Sequence, residues 1–224
     1  MSAFFVAGTD TEIGKSLCTA TLLHAFAARG KRVAGMKPIA AGTVRIGDHW
    51  HNDDVALITA ASNVAIAPEL VCPYLLEEAV APHIAAAAEG IAFDLAHIAA
   101  CLAQIRRNSD VTLVEGVGGF RVPLNDTQDT ADLAVALDLP LIFVVGMRLG
   151  CINHALLSVE AMQARGLRLA GWIANQIDPD MRRADANLAA LKARIPAPLL
   201  GHIPHLVPAD PRMAVGHLNL ELLK

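Results

Sequence analysis

The feature that most constrains this chain is the stretch Gly8-Thr9-Asp10-Thr11-Glu12-Ile13-Gly14-Lys15-Ser16, which directly follows the apolar run Phe4-Phe5-Val6-Ala7. An apolar run, a turn bracketed by glycines and a Lys-Ser pair opening a helical segment give the order strand, loop, helix. That order leaves unpaired backbone N–H groups and the positive end of a helix dipole where an anion can meet them. The stretch reads as a phosphate-binding P-loop: donors around Gly14 wrap a polyphosphate, Lys15 reaches its terminal phosphates, and Ser16 would hold Mg2+. Its spacing departs from G-x-x-x-x-G-K-[ST], because Gly8 stands one residue early with Thr9 in the usual glycine position. Taken alone, the stretch also fits an ordinary strand-to-helix turn carrying a surface lysine.

A second segment supplies the other half of such a site. Val111-Thr112-Leu113-Val114 is an apolar strand ending at Glu115-Gly116-Val117-Gly118-Gly119. A carboxylate at the carboxyl end of a strand, followed by glycines that let a ligand approach the backbone, completes a nucleotide site. Lys37 ends a further strand over 33–39, either as an exposed strand-end lysine or facing a ligand with the others. The polar run 48–54, a loop before the helix over 55–61, ends in Asp53-Asp54; paired aspartates there cap a helix, or one of them reaches a metal.

Helical periodicity continues from Cys18 through Leu22, Ala25 and Phe26, with Gly30 as a left-handed cap. Short apolar runs predict strands over 71–74, 139–145, 169–174 and 199–203. Helices are predicted to follow Pro82, to run from Leu95 with Asp94 as N-cap, and to cover 130–137, 155–164 with Asn153 as N-cap, and 187–194. Strands that read as continuous apolar runs alternate with helices throughout, which implies an α/β, P-loop NTPase-like fold: a mostly parallel sheet with helices on both faces. At 224 residues this is expected to be one domain over 1–224.

With 18% charged residues, a net charge of -4 and no basic block, the chain has no nucleic-acid footprint. Its start lacks a signal-peptide pattern and 139–147 is too short to span a bilayer, so a cytoplasmic protein with no membrane partner is expected. Cysteines 18, 72, 101 and 151 form no C-x-x-C pair or zinc spacing and read as small buried residues.

The motifs together resemble the dethiobiotin synthetases. The matching stretches run end to end: Gly8 to Ser16, Lys37-Pro38-Ile39-Ala40-Ala41-Gly42, Pro82-His83, Val114 to Gly119, Gly150-Cys151-Ile152-Asn153-His154, Gly171-Trp172-Ile173-Ala174-Asn175, and Ile195 to Gly201. The early Gly8 is that family's own spacing. The resemblance implies an ATP- and Mg2+-dependent ring closure of 7,8-diaminononanoate with CO2 through a carbamate and a carbamic-phosphoric anhydride, in a homodimer whose site is shared between subunits. It implies that Lys15 and Lys37 flank the γ-phosphate and the carbamate, with Thr11 and Glu12 also catalytic and Thr11 touching substrate. Nucleotide contacts then fall to Glu12, Ile13, Gly14, Lys15, Ser16, Leu17, Asp54, Glu115, Gly116, Val117 and Gly118. Ser16, Asp54 and Glu115 surround Mg2+, and Asn175, Gln176, Pro204, His205 and Leu206 bound the adenine. The substrate meets Ala41, the helix start Gly150, Cys151, Ile152 and Asn153, and Asn187. The chain departs from the family at Ala41, where many members carry a hydroxyl, and at Asn187, where some carry a tyrosine. A partitioning or regulatory P-loop ATPase would share the strand-loop-helix order without needing Lys37 or the Gly150 motif.

Overall fold

The computed structural model describes residues 2–47 and 49–223; Asp48, one member of the polar run, and Met1 lie outside the described residues. The first half runs β1 (Ser2–Gly8), α1 (Lys15–Ala27), β2 (Val33–Met36), β3 (Ile39–Ala41), β4 (Val44–Ile46), β5 (His49–His51), α2 (Asp53–Ala61), α3 (Pro68–Val71), β6 (Tyr74–Leu76) and α4 (Pro82–Glu89). The second runs α5 (Leu95–Arg106), β7 (Val111–Glu115), α6 (Thr130–Leu137), β8 (Leu141–Met147), α7 (Cys151–Ala164), β9 (Leu169–Gln176), α8 (Ala184–Lys192), β10 (Leu199–Ile203) and α9 (Pro211–Ala214).

Six strands pair in the order β10-β9-β8-β1-β7-β2, each pair parallel. Successive side chains on a strand point to opposite faces. Phe5 and Ala7 therefore enter one core, with residues of α4 to α8, while Phe4 and Val6 enter the other, with residues of α1, α2 and α9. Both faces being covered, the strands read as near-continuous apolar runs, with Glu115 and Asn175 as buried polar residues toward their carboxyl ends. The strand order reverses around β1, which opens a crevice at the carboxyl ends of β1 and β7. The P-loop leaves β1 there and Glu115 closes β7 there.

Several local expectations are corrected. The strand over 33–39 is split: β2 stops at Met36, the Lys37 N–H donates to Val71 O, and β3 resumes in a separate sheet with β6. Residues 68–71 are helical because Pro68 opens a turn at its first position, so the neighbouring strand starts at Tyr74 rather than at 71. The loop before α2 contains the β4–β5 hairpin, and the N-cap of α2 is Asn52, whose side chain accepts from the Val55 N–H. Helix α7 begins at Cys151 because Gly150, at φ 95°, is its N-cap; Asn153 lies inside the first turn instead of capping. Arg183, at φ 59°, starts α8 at Ala184 rather than at 187.

Candidate functional site

The P-loop is seated from beneath. Ile13 is buried and packs against Gly146, where an added Cβ would come within 2.5 Å of it. Its side chain is thus core, and the Asn175 amide donates to its carbonyl at 2.9 Å. Gly14 must be glycine on two counts: its φ is 77°, and a Cβ would stand 2.2 Å from Asn175 Nδ2. Gly14 is also the N-cap of α1 and offers no side chain to the first helical N–H groups, so those donors stay available to an anion. Gly8 leaves room for the Lys15 stem, whose ammonium donates to Asp10 O at 2.8 Å. Burial, only partly offset by Glu115, lowers the Lys15 pKa to about 8.

Beside the loop lies a charge cluster in which Lys37 and Glu115 are buried and the Asp54 side chain is 48% exposed. Lys37 Nζ donates to Glu115 Oε1 at 2.5 Å and to Asp54 Oδ2 at 2.9 Å. Lys37 is 3% exposed, so the exposed strand-end reading fails. Burial pulls the Lys37 ammonium down, yet Glu115 and Asp54 together outweigh it and leave its pKa raised. Burial likewise pushes the Asp54 carboxyl up, and the Lys37 charge, with the Ser16 hydroxyl nearby, brings it below the ordinary value. Ser16 Oγ donates to Glu115 Oε1 at 2.7 Å, and Thr19 Oγ1 lies 2.6 Å from Glu115 Oε2. Ser16, Asp54 and Glu115 thus offer one hydroxyl and two carboxylates at a single point, the hard oxygen donors that suit Mg2+.

A cavity of about 840 Å³ opens over this cluster. Its lining combines polar and charged residues, Thr11, Glu12, Lys15, Ser16, Lys37 and Asp54, with a largely apolar set that includes Leu17, Ala41, Leu57, Ala79 to Pro82, Val117 and Val122. Glu12 is exposed with φ 57°, a left-handed conformation uncommon for a non-glycine residue. Gly116 is outside the lining; a Cβ there would meet the Phe5 ring at 3.0 Å. Thr43, two residues beyond Ala41, is not part of this lining, and its hydroxyl oxygen is buried with no hydrogen-bond partner among the described residues.

The other predicted contacts gather elsewhere. Asn175 and Ile203 are in register on β9 and β10, which brings Asn175 and Gln176 close to Pro204, His205 and Leu206 at the same sheet edge. The Gln176 amide already donates to Asp178 O at 2.5 Å, and its oxygen lies 3.4 Å from His202 Nε2. Neither this group, nor Asn187, whose amide donates to Arg183 O, nor Gly150 to Asn153 lines the cavity. The start of α7 is tied to the P-loop by an ion pair between Arg148 and Asp10. The sequence reading missed that pair, the wall at Ala79 to Ala81, and Thr19; Thr19 was detectable in principle, being one helical turn from Ser16 on the same face.

A parallel sheet with a glycine loop at its switch point, a buried lysine and a strand-end carboxylate defines a P-loop nucleotide-binding protein. Solved structures of similar fold include the MinD cell division protein of Aquifex aeolicus, with TM-score 0.60 at 16% identity over 96% of this chain and 93% of that one. The septum site-determining protein MinD complexed with Mg-ADP from Pyrococcus horikoshii gives 0.54 at 17% identity over 98% and 88%. At such identities the likeness is one of fold alone. A family model described as an AAA domain matches residues 2–212. The ATP-dependent dethiobiotin synthetase of Aromatoleum aromaticum is 57% identical over 218 residues, covering 97% of each chain. That of Janthinobacterium sp. is 52% identical over 223 residues, 98% of this chain and 94% of the other. The chain belongs to the dethiobiotin synthetase family.

Proposed function

We propose that this protein closes the ureido ring of dethiobiotin from 7,8-diaminononanoate and CO2, with conversion of ATP to ADP and phosphate. The observation that carries this reading is the meeting of Lys15 and Lys37, both near Glu115 and Asp54, in one cavity that also has apolar lining residues. One amine of the substrate takes up CO2 as a carbamate and releases a proton, for which Glu12 is the acceptor at the cavity rim. The carbamate is a poor electrophile until one of its oxygens takes the γ-phosphoryl group of ATP. The second amine then attacks the carbamoyl carbon, the ring closes, and phosphate leaves. Phosphoryl transfer needs alignment and charge neutralisation more than covalent help, and Lys15 and Lys37 supply both. Thr11 contacts the reacting end of the substrate, and the wall from Ala79 to Val122 shelters its aliphatic chain.

Mg2+ would be held by Ser16, Asp54 and Glu115, directly or through water, and would neutralise charge on the phosphates. Lys15 exchanges Asp10 O for phosphate, and the Ser16 hydroxyl turns away from Glu115. Asn175, Gln176 and 204–206 bound the adenine. The substrate carboxylate lies on the open N-terminus of α7, beside Asn187, and since α7 is outside the cavity lining the site is completed by the other subunit of a homodimer. One domain over 1–224, working in the cytoplasm, belongs to the same reading.

The test is ADP release assayed with the diamine and bicarbonate supplied separately and together, with mass detection of dethiobiotin. Release that requires both supports the reading. ATP hydrolysis indifferent to the diamine would favour a partitioning-type ATPase, for which the distant likeness to MinD gives no ground beyond fold.

A further inference from the structure

We propose that Thr19 is a positioning residue for the nucleotide site, whose hydroxyl clamps Glu115 so that one carboxylate oxygen alone faces Ser16, Lys37 and Asp54. The inference rests on the reading of Ser16, Asp54 and Glu115 as the Mg2+ set. Both side chains are completely buried. Glu115 Oε1 accepts from Ser16 at 2.7 Å and from Lys37 at 2.5 Å, while the Thr19 hydroxyl serves Oε2 at 2.6 Å.

A threonine inside a helix commonly donates to the carbonyl four residues back and does nothing further. Thr21 does this, at 2.7 Å from Leu17 O. Thr19 lies 2.9 Å from Lys15 O, but its distance to the carboxylate is shorter and falls in the range of a hydroxyl donating to an ionised oxygen. Its single hydrogen therefore points chiefly to Glu115, with Lys15 O as the longer arm of a three-centre bond that helps to hold the rotamer. Two consecutive turns of α1 thus grip the two oxygens of one carboxylate, Ser16 on the site side and Thr19 on the core side. When Ser16 leaves for the metal, Thr19 still holds Oε2, so Oε1 keeps its direction and Glu115 cannot rotate both oxygens toward the cation. Partners that orient a metal-binding side chain in this way govern affinity for the metal more than affinity for the nucleotide.

The experiment is calorimetric binding of a non-hydrolysable ATP analogue across a Mg2+ series and in EDTA, for the wild type, Thr19→Val and Thr19→Ser. Thr19→Val keeps the shape and removes the hydroxyl; it is expected to raise the half-saturating Mg2+ concentration by about tenfold or more, the scale seen for lost partners of metal ligands. Binding in EDTA stays at the wild-type value, and Thr19→Ser restores the Mg2+ dependence. An unchanged Mg2+ dependence in Thr19→Val overturns the proposal, as does an equal loss with and without the metal, which is what a merely structural role would give. Should Thr19→Val not fold, Thr19→Ala carries the same measurement. A folded Thr19→Ser with impaired Mg2+ dependence also overturns it, because the hydroxyl is still present. The assay uses no diamine: a wild type that binds the Mg2+ analogue yet forms no dethiobiotin sinks the functional reading and leaves the role of Thr19 standing.

Discussion

Lys37 Nζ lies 2.5 Å from Glu115 Oε1 with both side chains sealed from solvent, closer than its second carboxylate partner, Asp54, at 2.9 Å. A buried pair of this kind is held in balance, since desolvation of each charge offsets most of the attraction, and removing one member strands the other. Lys37→Gln is expected to lower kcat by roughly a hundredfold or more, the scale of one lost preorganised donor, with nucleotide affinity less affected. Lys37→Met, which leaves Glu115 uncompensated, should destabilise the fold by about 3–5 kcal/mol, and the double variant Lys37→Met/Glu115→Met should recover most of that loss without recovering activity. Denaturant unfolding of the three proteins checks this; a double variant as unstable as Lys37→Met would place the energetics elsewhere.

Much of this arrangement was readable in advance because it is local. Residues 4–7 are apolar at every position and 111–114 at every position but Thr112, which marks strands covered on both faces, and the loops after them carry the site residues at fixed offsets. Asp94 caps α5 as its position predicted. What escaped depends on partners distant in sequence. The pairing of β3 with β6 joins two three-residue segments with little pattern of their own. The burial of Lys37 is set by Glu115 and Asp54, residues a strand-end lysine does not announce. Asn153 was a sound cap by residue type, but Gly150 adopts the left-handed conformation and starts the helix earlier.

Lys15 gives the site a pH signature. Its pKa falls from 10.5 in the unfolded chain to about 8 in the fold, chiefly through burial. Between those values the unfolded chain binds the extra proton, so the Lys15 contribution to stability rises with pH. Below about pH 8 the folded protein carries the full cost of a desolvated charge, on the order of 3 kcal/mol at about 1.4 kcal/mol per unit. Lys15→Met should therefore be more stable than the wild type at pH 7 without nucleotide, and the gap should close as pH rises through 8 toward 10.5. Thermal unfolding of both proteins across that range is the measurement. A gap independent of pH would mean that Lys15 is not desolvated, and in either case Lys15→Met should lose ATP turnover.

Gly14 and Asn175 are expected to behave as a coupled pair. Gly14→Ala meets both a left-handed backbone, costing about 1–2 kcal/mol for an L residue, and the Asn175 amide at 2.2 Å. The loop should shift and nucleotide binding weaken strongly. Adding Asn175→Ala removes the clash and leaves the backbone cost, so the double variant should bind nucleotide better than Gly14→Ala but below Asn175→Ala alone. Strictly additive losses in a double-mutant cycle would show that the two positions do not touch.

The shared-site reading makes the most demanding prediction. Helix α7 opens at Gly150 with no side-chain cap; the Cys151 N–H donates to Arg148 O, so the N–H groups of Ile152 and Asn153, with the helix dipole, are what a carboxylate can meet. Asn153 is exposed in that first turn, whereas Ile152 packs against the core, so a charge is better introduced at Asn153. Asn153→Glu should leave the fold intact, because an acidic residue near a helix N-terminus is favourable. It should nevertheless repel the substrate carboxylate and raise the KM for the diamine with little change in ATP affinity. If α7 serves the partner's cavity, a heterodimer of a Lys15→Ala chain and an Asn153→Glu chain holds one site with both defects and one with neither. Mixing the two impaired proteins should then restore activity toward half that of the wild type within each heterodimer. If α7 serves its own chain, both sites of the heterodimer stay damaged and mixing restores nothing. Native mass spectrometry of the mixture establishes that heterodimers form, and their activity decides which subunit holds the carboxylate.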